Sequence, residues 1–286
     1  MEIIQTIQEM QKRADVIRLQ DKIIGFVPTM GYLHEGHLSL IRMAREKADV
    51  LVVSIFVNPT QFGPNEDLDQ YPRDFNRDQK LAQEAGADII FYPSEKEIYP
   101  DNYLTYVHVE SISKILCGES RPTHFRGVTT VCSILFHAVK PHFAVFGQKD
   151  FQQAVIIKKM VRDLHFDLKI YLAPIVREPD GLAMSSRNTY LSAQEREDAL
   201  SLHQSLVMVE EMIQKGERET STLISEIQKL IDKKRSTRID YIQIVDPNTL
   251  QPLDKIQNQS VIALAVFVGK TRLIDNVIIK AIDKER

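Results

Sequence analysis

Cysteine is nearly absent. Cys117 and Cys132 are the only two in 286 residues and they form no Cys-x-x-Cys pair, which removes a disulfide framework from consideration. No apolar run approaches the ~20 residues of a membrane span. Charge of one sign is missing too: 36 Lys and Arg against 39 Asp and Glu leave a net −3, so there is no electrostatic case for a nucleic-acid partner. The opening Met1-Glu-Ile-Ile-Gln-Thr-Ile has neither a basic segment nor a signal-length apolar core, and the expectation is a cytoplasmic protein. Gly-x-Gly-x-x-Gly does not occur. Gly269-Lys-Thr271 fails as a phosphate loop, because Leu264 stands where the first glycine is required. There are no internal repeats and no low-complexity tract.

What remains is 43% hydrophobic and 26% charged, an ordinary balance for a globular protein of one large domain or two smaller ones. Its most informative stretch is Pro28-Thr-Met-Gly-Tyr-Leu-His-Glu-Gly-His-Leu-Ser-Leu40. An apolar run, residues 23–27, precedes it and reads as a buried parallel strand. Leu38, Leu40, Ile41 and Ala44 follow at helical spacing. Strand, tight turn and helix place the motif where open α/β sheets bind ligands. His34 and His37 are then expected on one face of the helix's first turn. Free backbone N–H groups and the positive end of the dipole suit a phosphate there. Gly36 lets a ligand approach the backbone, and the imidazoles add donors. A capping or surface role is the plain alternative for either histidine. Zinc is disfavoured, since this is not His-Glu-x-x-His and no cysteine pair or carboxylate cluster completes four ligands.

Further strands are expected at 50–57, 88–92, 142–146 and 168–173, with an edge-type strand at 105–110. Helices are expected at 2–19, from about 74 to 85, and at 128–139. Turns at strand ends carry Asn58 and Gln61, then Gly147-Gln-Lys-Asp150 with Gln153 one turn along. A lysine at a helix start opposes the dipole, so Lys149 hints at an anionic ligand. Alternation of strands and helices argues a doubly wound parallel sheet. A boundary rich in Pro and Gly follows, then Met184-Ser-Ser-Arg187, whose hydroxyls and guanidinium can wrap a polyphosphate. Helices at 192–215 and 219–233, with Ser192 and Glu195 as a capping box, and strands at 239–245, 261–268 and 272–279 form a smaller α+β domain. The expected domains are 1–175 and 176–286.

Pro-Thr-Met-Gly-x-Leu-His-x-Gly-His resembles the opening motif of the pantothenate synthetases (pantoate–β-alanine ligases). These belong to a His-x-Gly-His nucleotidyl transferase superfamily with Rossmann-like folds that includes class I aminoacyl-tRNA synthetases. Asn58-Pro-Thr-Gln-Phe62 is similar to the family's pantoate-binding segment, 121–128 to its second pantoate-side element, and Met184–Arg187 to the synthetases' Lys-Met-Ser-Lys-Ser loop. The resemblance implies ATP-dependent condensation of pantoate with β-alanine through pantoyl-adenylate, releasing AMP and pyrophosphate. It implies ATP contacts at Met30, Gly31, Tyr32, Leu33, His34, Glu35, Gly36, His37, Gly147, Gln148, Lys149, Asp150, Val176, Met184, Ser185, Ser186 and Arg187. Pantoate and β-alanine would meet Gln61, Gln153, Asn58 and Met30. His34, His37 and Lys149 would be catalytic, His37 as the proton donor, with the second domain as a lid. Magnesium should accompany ATP with protein ligands unnamed, and a homodimer is implied. The parts of His124 and Arg126 are left open. From spacing alone, a nucleotidyl transferase acting on a phosphate ester, or a non-catalytic ATP sensor, fits the same two phosphate motifs.

Overall fold

Thr6 decides how the chain begins. Its Oγ accepts the Glu9 N–H at 3.2 Å, so it caps a helix rather than lying inside one. In the computed structural model, which describes residues 1–64 and 66–280, the first helix is therefore α1 (Ile7–Arg18), and Glu2–Ile4 is a separate strand, β1. The expected helix over 2–19 is corrected accordingly. Ile3 is 41% exposed, whereas Met10, Ala14 and Ile17 form the buried stripe of α1.

The chain continues through β2 (Ile24–Thr29), α2 (Glu35–Arg45), β3 (Val50–Ile55), α3 (Phe75–Glu84) and β4 (Ile89–Phe91). Two short helices, α4 (Glu95–Ile98) and α5 (Cys117–Ser120), precede α6 (His124–Val139), β5 (Phe143–Gly147), α7 (Phe151–Asp163) and β6 (Lys169–Ala173). These elements make one compact unit, Met1–Pro174; a second begins at Ile175.

The first unit holds a six-stranded sheet in the order β1-β4-β3-β2-β5-β6, with every neighbouring pair parallel. Alternation along β2 sends Phe26 to one face and Val27 to the other. Phe26 packs with residues of α1, α6 and α7, such as Met10, Phe136 and Ile157. Val27 packs with Leu40, Ile41 and Ala82 of α2 and α3. Strand order reverses between β2 and β5, and that reversal opens a crevice at their carboxyl ends.

Two further expectations change. Residues 105–110 form no strand, because side chains of α6 take the place of a ladder: Thr130 Oγ1 accepts the Val107 N–H at 3.0 Å and Thr129 Oγ1 donates to the Val107 carbonyl at 2.7 Å. Helix α6 starts at His124 rather than Val128, which brings His124 and Arg126 into its first turn.

The second unit is α+β, as the periodicity indicates. Helices α8 (Ala193–Gln214) and α9 (Thr220–Ile231) bury Leu202, Leu206, Leu223 and Ile227 against an antiparallel sheet of β7 (Thr237–Val245), β8 (Gln259–Val268) and β9 (Thr271–Lys280). Ser192 and Glu195 form the capping box at the start of α8.

Candidate active site

The turn after β2 is held from below. Thr29 Oγ1 donates to the Ser54 carbonyl at 2.8 Å and accepts the Gly31 N–H at 3.2 Å. Gly31 and Tyr32 then take successive left-handed conformations, φ +81° and +49°. Glycine at 31 serves that φ and also clearance, since a Cβ there would stand 2.9 Å from Asp78 Oδ2. Leu33 is buried and anchors the turn in the core.

His34 is not in the helix. It is the N-cap of α2, with extended backbone, and its Nδ1 accepts the Gly36 N–H at 3.1 Å. His37, three residues on, reciprocates: its Nδ1 accepts the His34 N–H at 3.3 Å. The two rings lie 4.0 Å apart between centroids. This reciprocal box corrects the expectation of free N–H groups aimed at a ligand, because the imidazoles occupy the N–H groups of His34 and Gly36 themselves. It also decides the chemistry. Each Nδ1 faces a backbone N–H and is unprotonated, so each neutral ring carries its proton on Nε2 and offers one outward donor.

His37 is also kept neutral. Desolvation by the surrounding protein pushes its pKa well below the ordinary imidazole value, and the Lys149 ammonium, like a protonated His34, pushes the same way. A ring so held donates a hydrogen bond but does not carry the extra proton of a general acid at neutral pH.

Lys149 reaches this place from the other side of the crevice. Strand β5 ends at Gly147, and Gln148–Asp150 form a 3₁₀ turn leading into α7. Gln153 lies half-buried in the first turn of α7. Its neighbour Gln152 is a structural group, donating to the Ile112 and Ile115 carbonyls and accepting the Cys117 N–H.

Gln61 sits in a 3₁₀ turn, Pro59–Gln61, after β3. Its Oε1 accepts Asn58 Nδ2 at 3.2 Å and its Nε2 donates to Met30 Sδ at 2.9 Å. Its backbone carbonyl accepts from Arg121 at 3.3 Å and from His124 Nδ1 at 2.9 Å. Asn58 is 1% exposed; it also donates to the Gly127 carbonyl, and accepts from Thr60 and Tyr99. Burial pushes the Tyr99 phenol upward, so it stays a neutral donor. Asn58 therefore orients the Gln61 amide. His124 orients the Gln61 backbone, while Arg126 stacks over Tyr106, 4.6 Å from guanidinium to ring centroid.

Sequence reasoning missed Asp78 and Arg121. Asp78 on α3 accepts the Tyr32 and Leu33 N–H groups at 2.6 and 2.7 Å. Arg121 forms a fork to Glu66 at 2.7 and 2.5 Å. Only the Arg-Pro sequence at 121 was a visible signal; an acid in the first turn of α3 reads as ordinary dipole complementation. A cavity of about 580 Å³, lined by Met30, Gly31, Ile55, Asp74, Asp78 and Tyr92 among others, adjoins the turn.

The remaining candidates belong to the second unit. A hairpin pairs Arg177 with Ala183, and the Met184 N–H donates to the Val176 carbonyl at 3.0 Å. Arg177 is clamped in a fork on buried Asp275 of β9 at 2.6 and 3.0 Å. Arg196 of α8 bridges Glu178 and Asp180 at 2.7 and 2.6 Å, and Asn188 donates to Glu178 at 2.6 Å. On this base stand Met184, Ser185 and the 3₁₀ turn Ser186–Tyr190, where Ser185 Oγ accepts the Arg187 N–H at 3.3 Å.

Known proteins share this sequence and architecture. A family model described as pantoate-beta-alanine ligase matches residues 2–278. A pantothenate synthetase of Thermotoga petrophila is 56% identical over 98% of this chain and 100% of its own length. One of Syntrophus aciditrophicus is 57% identical over 96% of each. The crystal structure of pantothenate synthetase from Thermus thermophilus matches with a TM-score of 0.92 and 42% identity, covering 97% of this chain and 99% of that one. A Francisella tularensis pantoate-beta-alanine ligase, complexed with beta-gamma ATP and beta-alanine, matches with a TM-score of 0.79 and 37% identity over 97% of each chain.

Proposed function

The chain belongs to the pantoate–β-alanine ligase family, and from that premise we propose how its site joins pantoate to β-alanine. It is an ATP-using acid–amine ligase. In the proposed first step a pantoate carboxylate oxygen attacks the α-phosphorus of ATP, and the bond to the departing pyrophosphate breaks. In the second, the free amine of β-alanine attacks the acyl carbon of pantoyl-adenylate. The carbon–oxygen bond to AMP breaks and the nitrogen gives up a proton to form the amide of pantothenate.

The observation that carries this reading is the reciprocal imidazole box, which leaves the proton of each ring on Nε2, with Lys149 near enough to His37 to depress its pKa. Such donors need no reorganisation when negative charge builds on the phosphates. A helix dipole alone contributes only about 0.3–1 kcal/mol, whereas enzymic acceleration requires about 8 kcal/mol or more. Holding carboxylate and phosphorus in line supplies about 7–11 kcal/mol in favourable cases, and the cationic and imidazole donors the rest. In this assignment His34, His37, Lys149, Ser186 and Arg187 serve the triphosphate. Met30–His37, Gly147–Asp150, Val176 and Met184–Arg187 form the nucleotide contacts, and Gln61 and Gln153 hold pantoate beside Met30. Asn58 acts through the Gln61 amide.

Among the groups assigned to the nucleotide, the Ser186 hydroxyl and the carboxylates of Glu35 and Asp150 are oxygen donors that suit magnesium, and the described residues gather no cluster of three His, Cys, Asp or Glu that would hold it without the phosphates. Magnesium therefore comes with ATP, held mainly by phosphate oxygens. The enzyme works in the cytoplasm as a homodimer; exposed Leu104 (86%) and Tyr106 (44%) offer an apolar patch for a second copy.

The test is isotope exchange between pyrophosphate and ATP. Exchange that requires pantoate, proceeds without β-alanine and ignores phosphate esters is expected. Exchange driven by a phosphate ester instead would assign the chain to nucleotidyl transfer, and tight ATP binding without AMP formation would make it a sensor.

A further inference from the structure

Asp78 stands on α3, outside the His-x-Gly-His motif, and is 1% exposed. Both of its carboxylate oxygens are aimed at the motif's backbone: Oδ2 accepts the Tyr32 N–H at 2.6 Å and Oδ1 the Leu33 N–H at 2.7 Å. Successive N–H groups in a left-handed turn form a concave anion site. Here the protein fills that site with its own carboxylate. Burial pushes the Asp78 pKa upward, with the two N–H bonds and Arg77 working against that. The group is therefore not placed where an isolated carboxylate is comfortable. Arg77 adds a second tie from the same helix, with its guanidinium 5.1 Å from the centroid of the Tyr32 ring.

The geometry points to Asp78 as a positioning residue for the reaction. By fixing the N–H groups of Tyr32 and Leu33 it sets the direction in which the chain leaves the turn. That direction places His34 at the N-cap, from which the reciprocal imidazole box is built and both Nε2–H groups are aimed. Asp78 has both oxygens engaged by backbone N–H groups of the motif. Its effect passes through the backbone of the motif to the two rings, so its loss misaims transition-state donors rather than removing a substrate contact. A misplacement on the order of 1 Å at such a centre costs about 100-fold in rate.

This inference rests on the assignment of His34 and His37 to the phosphates. The experiment compares Asp78→Asn with wild type, His37→Ala and Lys80→Gly in pantoate-dependent pyrophosphate–ATP exchange, well below each variant's melting temperature. Lys80 stands on the exposed side of α3, its side chain 77% exposed, so Lys80→Gly weakens the same helix without touching the motif. Its melting temperature should fall by about 2–4 °C with turnover within twofold of wild type.

Asp78→Asn keeps the shape but sets an amide N–H₂ against a backbone N–H. Its kcat should fall about 10- to 100-fold, with KM for ATP and for pantoate within threefold. Imidazole ¹⁵N spectra should change as well. Wild type should show His34 and His37 protonated at Nε2, and the variant should show mixed tautomers. Should Asp78→Asn not accumulate folded, Asp78→Glu takes its place. It keeps both acceptors one methylene further out, and its expected loss in kcat is about 3- to 10-fold. Turnover within twofold of wild type in the Asp78 variant, or an equal loss in Lys80→Gly, overturns the positioning role. Undiminished turnover in His37→Ala instead overturns the phosphate assignment, leaving the two failures distinct.

Discussion

The His34–His37 turn and the Met184–Arg187 loop, both assigned above to the triphosphate, are held in place by opposite means. The first is closed on itself: each imidazole accepts a backbone N–H from the other's segment, and the turn is moored to α3 through the carboxylate of Asp78. The guanidinium of Arg77 stands 3.6 Å from that carboxylate, beyond hydrogen-bond length. The second is held by charge. A two-bond fork ties Arg177 to Asp275, and Arg196 spans Glu178 and Asp180. The closed turn presents His37 as a neutral ring, its pKa held well below the ordinary imidazole value. An ion-paired hairpin keeps the base of the Met184–Arg187 loop fixed.

If charge pairing holds the second loop, breaking it should give the largest effect. Asp275→Ala leaves Arg177 without its buried partner and should destabilise the second unit by about 3–5 kcal/mol, read by chemical denaturation. A loss below about 1 kcal/mol, the range of an exposed pair, would mean that the fork is ornamental.

The first turn should answer differently, in rate and not in stability. His37→Ala and Lys149→Ala should each lower kcat about 10²- to 10³-fold with the fold intact, measured by turnover and circular dichroism. Unchanged kcat in either variant would remove that residue from the mechanism.

Gln61→Ala should be milder and fall on binding. KM for pantoate should rise about 3- to 10-fold, as for one lost hydrogen bond, with KM for ATP unchanged. An effect confined to ATP would contradict its placement beside pantoate.

The smallest effect sharpens the contrast in electrostatics. His37 has a folded-state pKa below its unfolded value, so it contributes stability that is fully present above the unfolded value, near 6.5, and is lost as pH falls through the folded pKa. An NMR titration of the His37 ring should therefore show its midpoint well below about 6.5, and a midpoint at or above that would undo the neutral-donor account.

Much of this was legible along the chain. The apolar run before Pro28, the helical spacing after Leu38 and the Pro-Gly boundary near 180 place strands, helices and the change of domain character. Local pattern misled where a side chain displaced a backbone partner. Thr6 ends a strand by capping α1, and the Thr129 and Thr130 hydroxyls occupy the backbone of Val107 where an edge ladder was expected. The part played by His124 lay hidden for a similar reason. Its partner is the carbonyl of Gln61, 63 residues away, and no local spacing encodes such a bond.

Residue types and their periods were sufficient to specify the motifs and the alternation of strand and helix, because these depend on local propensity and on which faces are apolar. The folded structure alone decided which nitrogen of each imidazole faces outward and what aims it. Those facts depend on a capping geometry in which His34 leaves the helix, and on a carboxylate 46 residues from Tyr32 in sequence. Contacts between groups that far apart are made only by packing.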